Sequence, residues 1–145
     1  MRKISNVDDA IEKFKMAAID NRVCAYNGNY RKANRAYDNL MQIKKYLLEN
    51  NALDLLKQLY EDPNLWVRLA AAIVMAPWDE INAFNIVKGI KEMDVDMYSF
   101  AAKYTLLNWK ELSSSNKKCD NMSLSLVNSY KNHREVFSFL HFSMI

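Results

Sequence analysis

The sequence contains few of the residues that interrupt helices and form tight turns. Two glycines and two prolines occur in 145 residues, against average usages of about 7% and 5%. A β-rich fold with many tight turns requires both residue types, whereas helices exclude them from their interiors. Since half of the residues are apolar, which is sufficient for a core, the composition predicts an all-α domain.

Other absences exclude several classes of protein. Cys24 and Cys119 lie far apart and match no metal-binding spacing, so we expect reduced thiols. The chain has no apolar run of about 18 residues and no apolar signal segment after its basic start, so we expect a cytoplasmic protein that does not contact membranes. Two glycines cannot form a glycine-rich phosphate loop, and no nucleophile lies near His133 or His141 in the sequence. We therefore predict no enzyme activity, no cofactor and no metal.

Apolar residues recur every three or four positions along most of the chain, which is typical of amphipathic helices. With the turn and capping residues, this spacing predicts six short antiparallel helices, at residues 8–26, 30–50, 51–60, 63–75, 79–91 and 96–110. Asp62 is expected to cap the fourth helix, with Pro63 at its first position, where the missing amide hydrogen has no cost. The stripes predicted to be buried in the last two helices contain Ile81, Phe84, Val87 and Ile90, and then Met97, Phe100, Ala101, Tyr104, Leu107 and Trp109.

The composition changes after residue 112. Residues 113–123 are mostly polar, and the segment that follows becomes apolar again, with five large side chains close together: Val136, Phe137, Phe139, Leu140 and Phe142. We therefore predict a helical domain at 1–112 and, at 113–145, a polar linker and an apolar C-terminal tail. The tail could form a seventh helix that docks on the domain, and if exposed it would offer a surface to a partner.

The fourth predicted helix and the turn before it resemble a HEAT repeat: residues 61–77 read EDPNLWVRLAAAIVMAP, an acidic turn with a proline, then valine and arginine, then alanines. The order and spacing of AIEKFKMAAI, GNYRKANRAYDNLMQIKKYL, this stretch and SFAAKYTLLNWKE are similar to an uncharacterised bacterial family of small HEAT-like domains, a domain of unknown function. The resemblance covers about residues 7–112. It implies a HEAT-like α-α superhelix with a binding role and no established reaction.

By this resemblance, Asp62 and Arg68 would tie one helical hairpin to the next. The chain departs from the family in two places. Ser99 and Ala101 flank Phe100, where the family often has a glycine and an acid. Residues 113–145 have no counterpart in the usual family length, so the resemblance implies no function for them.

A basic segment lies at the start of the second predicted helix. Arg31, Lys32 and Arg35 alternate with Tyr30 and Tyr37 in NYRKANRAY, so this segment could contact phosphates or an acidic partner. The two arginines are four residues apart and share one helix face. The simpler interpretation is that the tyrosines pack inward while the cations remain in water.

Tryptophans and acidic turns supply the other candidate contacts. Trp66 and Trp109 are predicted to be buried, whereas Trp78 follows a proline in a loop and is the best surface candidate. The remaining candidates are acids that could line one rim: Asp79, Glu80, Glu92, Asp94 and Asp96, with Glu61 and Asp62. The acids at 92–96 lack the glycine and the distal glutamate of a calcium loop, so we predict a contact with a basic partner and no metal.

Two functions fit these features. The first is a non-enzymatic protein-binding module, most concretely an immunity protein that binds and neutralises a cognate antibacterial toxin; the lack of a catalytic constellation and the family resemblance favour it. Its partner would be a protein, for instance a secreted toxin domain, and the module would be a monomer or a weak dimer. The alternative is a nucleic-acid-binding HEAT-like protein that uses the basic helix face, although a formal net charge of +3 is low for that class.

Overall fold

The structure is a computed structural model that describes residue 1 and residues 3–115. This part of the chain contains a 3₁₀ helix (Leu53–Glu61) and six α-helices: α1 (Val7–Tyr26), α2 (Tyr30–Glu49), α3 (Leu65–Met75), α4 (Glu80–Glu92), α5 (Asp96–Leu107) and α6 (Trp109–Ser115). It contains no β-strand, which confirms the all-α prediction. None of the described helices is both long enough and apolar enough to cross a membrane. The predicted seventh helix lies outside the described residues.

The first two helices form a hairpin around the turn predicted from NGN. Gly28 adopts a left-handed conformation with a φ of 80°, which glycine reaches without a steric cost. The side chain of Asn29 accepts a hydrogen bond from the amide of Lys32 (3.3 Å) and so caps α2. Further from the turn, the side-chain amide of Asn21 donates to the carbonyl oxygen of Ala33 (2.9 Å), which ties α1 to α2.

The start of α3 differs from the prediction, since Asn64 caps the helix and Asp62 does not. The side-chain oxygen of Asn64 accepts hydrogen bonds from the amides of Trp66 (2.9 Å) and Val67 (3.4 Å). Asp62 accepts instead from the amide of Asn64 (2.9 Å) and orders the turn before the cap. Asn64 is as effective a cap as Asp62 and lies closer to the first helical amides. Pro63 therefore precedes the helix and does not occupy its first position.

The two residues that the HEAT resemblance assigns to contacts between hairpins have different roles. Oδ2 of Asp62 lies 3.6 Å from Nζ of Lys15 on α1, so this ion pair links the turn before α3 to the first hairpin. Arg68 donates from Nε to the backbone oxygen of Asp62, within its own turn. Of these two contacts, the one made by Asp62 joins separate hairpins and the one made by Arg68 stabilises the local turn.

α3 lies at the centre of the described fold, because its two sides pack in two different hydrophobic clusters. Val67 and Val74 belong to a cluster formed with α1, α2 and the 3₁₀ helix. Trp66 and Leu69 belong to a second cluster, which contains residues of α4 and α5. The alanine run at 70–72 is buried throughout, and its short side chains let the neighbouring helices approach closely. A helix that is apolar on all sides is expected at such a position.

A buried cation crosses the boundary between these clusters. The guanidinium carbon of Arg22 on α1 lies 5.1 Å from the ring centroid of Trp66 on α3, and the ring of Tyr98 on α5 lies 4.2 Å from that of Trp66. Burial lowers the pKa of the Arg22 guanidinium well below its ordinary value. The contact resembles a partly desolvated cation–π interaction. It connects α1 of the first hairpin with α3, which packs against the 3₁₀ helix in a second hairpin, and with α5, which packs against α4 in a third. The burial predicted for Trp66 is confirmed.

The buried stripes predicted for the last two helices are partly wrong. α4 buries Ala83, Val87 and Ile90, whereas Ile81 is 77% exposed and Phe84 is also exposed. At roughly 100° per residue, Ile81 lies about 200° around the helix from Ala83, so α4 carries two apolar faces. The prediction merged them because both have helical spacing.

In α5 the predicted stripe also includes residues that lie in solvent. Phe100 and Leu107 are exposed, Leu107 by 68%. The helix ends at Leu107, and after Asn108 a separate helix, α6, begins at Trp109 and continues to Ser115, past the predicted domain end at residue 112. Trp109 is buried, as predicted, because the break at Asn108 turns its ring towards Phe84, 5.6 Å away.

The Trp66 contact predicts a large stability difference between two tryptophans. Trp66→Ala should lower the free energy of unfolding by about 3–5 kcal/mol, because it leaves a cavity between two clusters. Trp78→Ala is the matched control and should cost less, about 1–2 kcal/mol, since its ring is partly exposed and its removal mainly loses the cation–π contact with Lys44. Urea unfolding followed by circular dichroism measures both. Equal losses in the two variants would contradict the central position of Trp66.

A second stability prediction concerns Tyr60, whose hydroxyl donates to Oδ2 of Asp79 (3.1 Å). Burial, and then the negative charge of Asp79, raise the pKa of Tyr60. Because the pKa of Tyr60 is higher in the folded protein than in the unfolded chain, its neutral phenol stabilises the fold fully at pH values below about 10, the ordinary tyrosine pKa. This contribution to stability is lost as the pH rises further, through the pKa that Tyr60 has in the folded protein.

We therefore expect the unfolding free energy to fall above pH ~10, and to fall less steeply in Tyr60→Phe, which cannot ionise there. Urea unfolding of both proteins at a series of alkaline pH values measures the difference. Parallel curves for the two proteins would show that Tyr60 does not supply this pH dependence.

Candidate functional site

The turn between α4 and α5 presents three carboxylates and two apolar side chains to solvent. Residues 92–96 read EMDVD, and all of them are exposed; we refer to this segment as the acidic turn. Met93 and Val95 are 48% and 42% exposed. Because they alternate with Glu92, Asp94 and Asp96, charged and apolar surfaces lie side by side.

The acidic turn has an unusual backbone that Ser99 holds in place. Asp94 adopts a φ of 52°, in the left-handed region that few residues other than glycine, asparagine and aspartate enter. The amide of Val95 donates to Oγ of Ser99 (2.7 Å), and this hydroxyl donates to the carbonyl oxygen of Ile90 (2.9 Å). Ser99 thus joins the end of α4 to the start of α5. Such over-determined, strained positions are common at functional sites.

The carboxylates of the acidic turn are not neutralised by neighbouring cations of the described fold. Among the residues that the structure describes, none of the three takes part in an ion pair, and no three potential metal ligands converge. Like charges close to one another repel, and an approaching cation relieves this repulsion. Met93 and Val95 place exposed apolar surface beside these charges.

The other predicted acidic patch lies at the opposite end of α4. This helix begins at Glu80 and ends at Glu92, and a helix of that length spans roughly 18 Å. The candidate acids therefore form two separate patches, although a single rim was considered from the sequence. Asp79 is half-buried and its carboxylate accepts the Tyr60 hydrogen bond, so within the fold it already has a structural partner.

Trp78 lies just before the second patch and is the most exposed of the three tryptophans. It is 39% exposed, whereas Trp66 and Trp109 are each 8% exposed. Nζ of Lys44 on α2 lies 5.5 Å from the centroid of the Trp78 ring, and Lys44 itself is buried. The indole therefore covers a lysine of the first hairpin and still offers part of its surface to solvent, as the sequence predicts.

The three predicted cations lie together on the first two turns of α2. Arg31, Lys32 and Arg35 are all exposed, and the first turn of α2 contains no acid to balance the positive end of the helix dipole. Tyr30 was expected to pack inward but is exposed, because it is the first residue of the helix, at the tip of the hairpin. Tyr37 is half-buried. This basic face is on a different hairpin from the acidic turn.

Met93 and Val95 are exposed apolar residues of the acidic turn that the sequence analysis did not single out. Their exposure could have been predicted from the sequence, because both lie in a predicted turn, outside any helical stripe that could bury them. Apolar side chains in such a turn have no helix face to join, so solvent or a partner must receive them. The role of Ser99 had no sequence signal, since it depends on the distance between two helix ends.

The left-handed backbone at Asp94 predicts that two small substitutions differ in stability. Asp94→Gly and Asp94→Ala both remove the carboxylate, but only glycine relieves the steric cost of a positive φ. Asp94→Gly should therefore be about 1 kcal/mol more stable than Asp94→Ala. Thermal or urea unfolding measures this difference, and equal stabilities would show that the turn relaxes to another conformation.

Comparison of the chain with known protein families, curated proteins and solved structures finds no match in any of the three. The resemblance to HEAT-like domains therefore stays a prediction based on the sequence pattern. Function has to be inferred from the chemistry of the described surfaces, of which the acidic turn is the most sharply defined.

Proposed function

We propose that this chain is a non-enzymatic protein-binding module whose acidic turn contacts a basic surface of a partner protein. The observation that carries the proposal is that all of residues 92–96 are exposed, where three carboxylates without an ion pair among the described residues alternate with two apolar side chains. Apolar contact supplies affinity, and surrounding charge supplies steering and specificity.

The fixed backbone of the acidic turn also supports a binding role. Ser99 holds the segment through two hydrogen bonds, so a partner would not have to order it. A preorganised segment loses less conformational entropy on association than a flexible one. The left-handed Asp94 follows the last residues of α4, where such a conformation commonly ends a helix, and its amide donates to the carbonyl oxygen of Lys91 (3.4 Å).

In its most concrete form, the proposal is a cytoplasmic immunity protein that binds and neutralises a cognate toxin. The acidic turn fits a toxin that is basic, as enzymes acting on nucleic acid often are. A HEAT-like stack of hairpins, which the sequence pattern suggests, would present the turns between its helices along an edge. The module would act as a monomer or a weak dimer.

The proposal predicts a specific effect of removing the three charges. In Glu92→Gln/Asp94→Asn/Asp96→Asn, each lost ion pair should cost about 0.5 kcal/mol, which weakens binding about tenfold in total. The candidate toxin is the protein encoded by the gene next to that of this chain, and its affinity for the wild-type chain and for the triple variant is measured by calorimetry at two salt concentrations. Protection of cells that express the toxin is measured in parallel.

A matched control removes the same number of charges elsewhere on the surface. Asp20, Asp38 and Glu49 are exposed on α1 and α2, and Asp20→Asn/Asp38→Asn/Glu49→Gln should bind as the wild type does. If both variants weaken binding equally, the acidic turn is not the contact. If the wild-type chain neither binds the neighbouring toxin nor protects cells, the immunity proposal is wrong.

The exposed cations of α2 favour a second candidate function, nucleic-acid binding. Arg31, Lys32 and Arg35 are close enough to contact neighbouring phosphates, but three contacts give only weak binding. We expect no retarded species with DNA or RNA in a gel-shift assay at physiological salt. Binding that weakens steeply with salt, and that Arg31→Gln/Arg35→Gln abolishes, would favour this function over the first.

A further inference from the structure

A groove lies at the end of α4 that is remote from the acidic turn. It has a volume of about 270 Å³ and is lined by Glu80, Ile81, Phe84, Asn85 and Trp109. Ile81 is the most exposed of these apolar side chains, and Phe84 is exposed beside it. These two residues form the second apolar face of α4, of which Trp109 of α6 covers only part: its ring packs edge-on against Phe84, while Ile81 stays 77% exposed.

The chain itself supplies a segment that suits this groove. It continues for 30 residues beyond Ser115, and α6, which Ser115 ends, begins at Trp109 in the wall of the groove. Five large apolar side chains occur within residues 136–142, VFSFLHF. The groove and residues 136–142 are both largely apolar, so packing one against the other removes both from water.

We infer that residues 136–142 of this chain occupy the groove between α4 and α6. The 20 residues between Ser115 and Val136 can span about 70 Å when extended, so the connection does not limit the reach. A tethered segment acts at an effective concentration in the millimolar range. A second copy of the chain or a separate partner would have to compete with this segment.

Charge supports the same occupant. Lys131, Arg134 and Glu135 precede the apolar segment, two basic residues against one acid, and the groove has the exposed carboxylate of Glu80 at its edge. A cation next to the apolar segment can therefore lie near an acid while the aromatic side chains pack on Ile81 and Phe84. Since the groove and the acidic turn lie at opposite ends of α4, this inference does not depend on the proposed function.

A spin label beside the groove tests the inference in the full chain. Lys88 is exposed on α4, one turn from Phe84, and Lys88→Cys is labelled in a Cys24→Ser/Cys119→Ser background. We expect the amide signals of residues 136–142 to broaden in the NMR spectrum, and the broadening to disappear when the label is reduced. Ile81→Asp should restore these signals, because it places a charge on the apolar wall.

The control label is Asp20→Cys on α1, whose main contacts are with α2 and α3; it should leave residues 136–142 sharp. Mixing labelled chains with isotope-enriched, unlabelled chains separates the two possible sources. Broadening of the unlabelled, isotope-enriched chains in the mixture would assign the groove to a second copy and overturn the inference. No broadening from Lys88→Cys, or equal broadening from both labels, would also overturn it. Asn85→Cys is the second label position if Lys88→Cys does not fold.

Discussion

The described structure depends on the burial of α3 on two sides. Its valines pack against the first hairpin and the 3₁₀ helix, while Trp66 and Leu69 pack against α4 and α5. A helix in this position cannot carry charge on either side without a large desolvation cost. This explains why residues 65–75 are almost entirely apolar and why alanines fill the closest approach. The three hairpins have one position relative to each other because they share this helix.

The position of α3 also determines where α4 points. The buried face of α4 faces α3 through Ala83, Val87 and Ile90, which leaves the ends of α4 and its second apolar face at the surface. One end carries the acidic turn, held by Ser99, and the other carries Trp78 and the groove. Two chemically different surfaces therefore lie on one rigid helix, which is a more precise support for a contact than a free loop.

The sequence predicts the helices better than their surfaces. The helices at 8–26 and 30–50 agree with α1 and α2 within two residues, because a glycine turn and clear apolar spacing mark their ends. The cap of α3 was assigned to Asp62 because Asp62 and Asn64 are both good caps. Ile81 and Phe84 were assigned to the core because helical spacing does not say which of two apolar faces packs inward. The shape of the acidic turn depends on two helix ends that only the fold brings together.

The position of Arg22 affects how the described helices unfold. Repeat-like helical stacks can lose their terminal hairpins one at a time, because each hairpin contacts only its neighbours. Here the guanidinium of the first hairpin lies against an aromatic pair contributed by the second and third. Moving α1 away would disrupt the packing of Trp66 as well as release a buried cation. This one side chain thus couples the opening of the first hairpin to that of the others and makes unfolding of the described helices more cooperative.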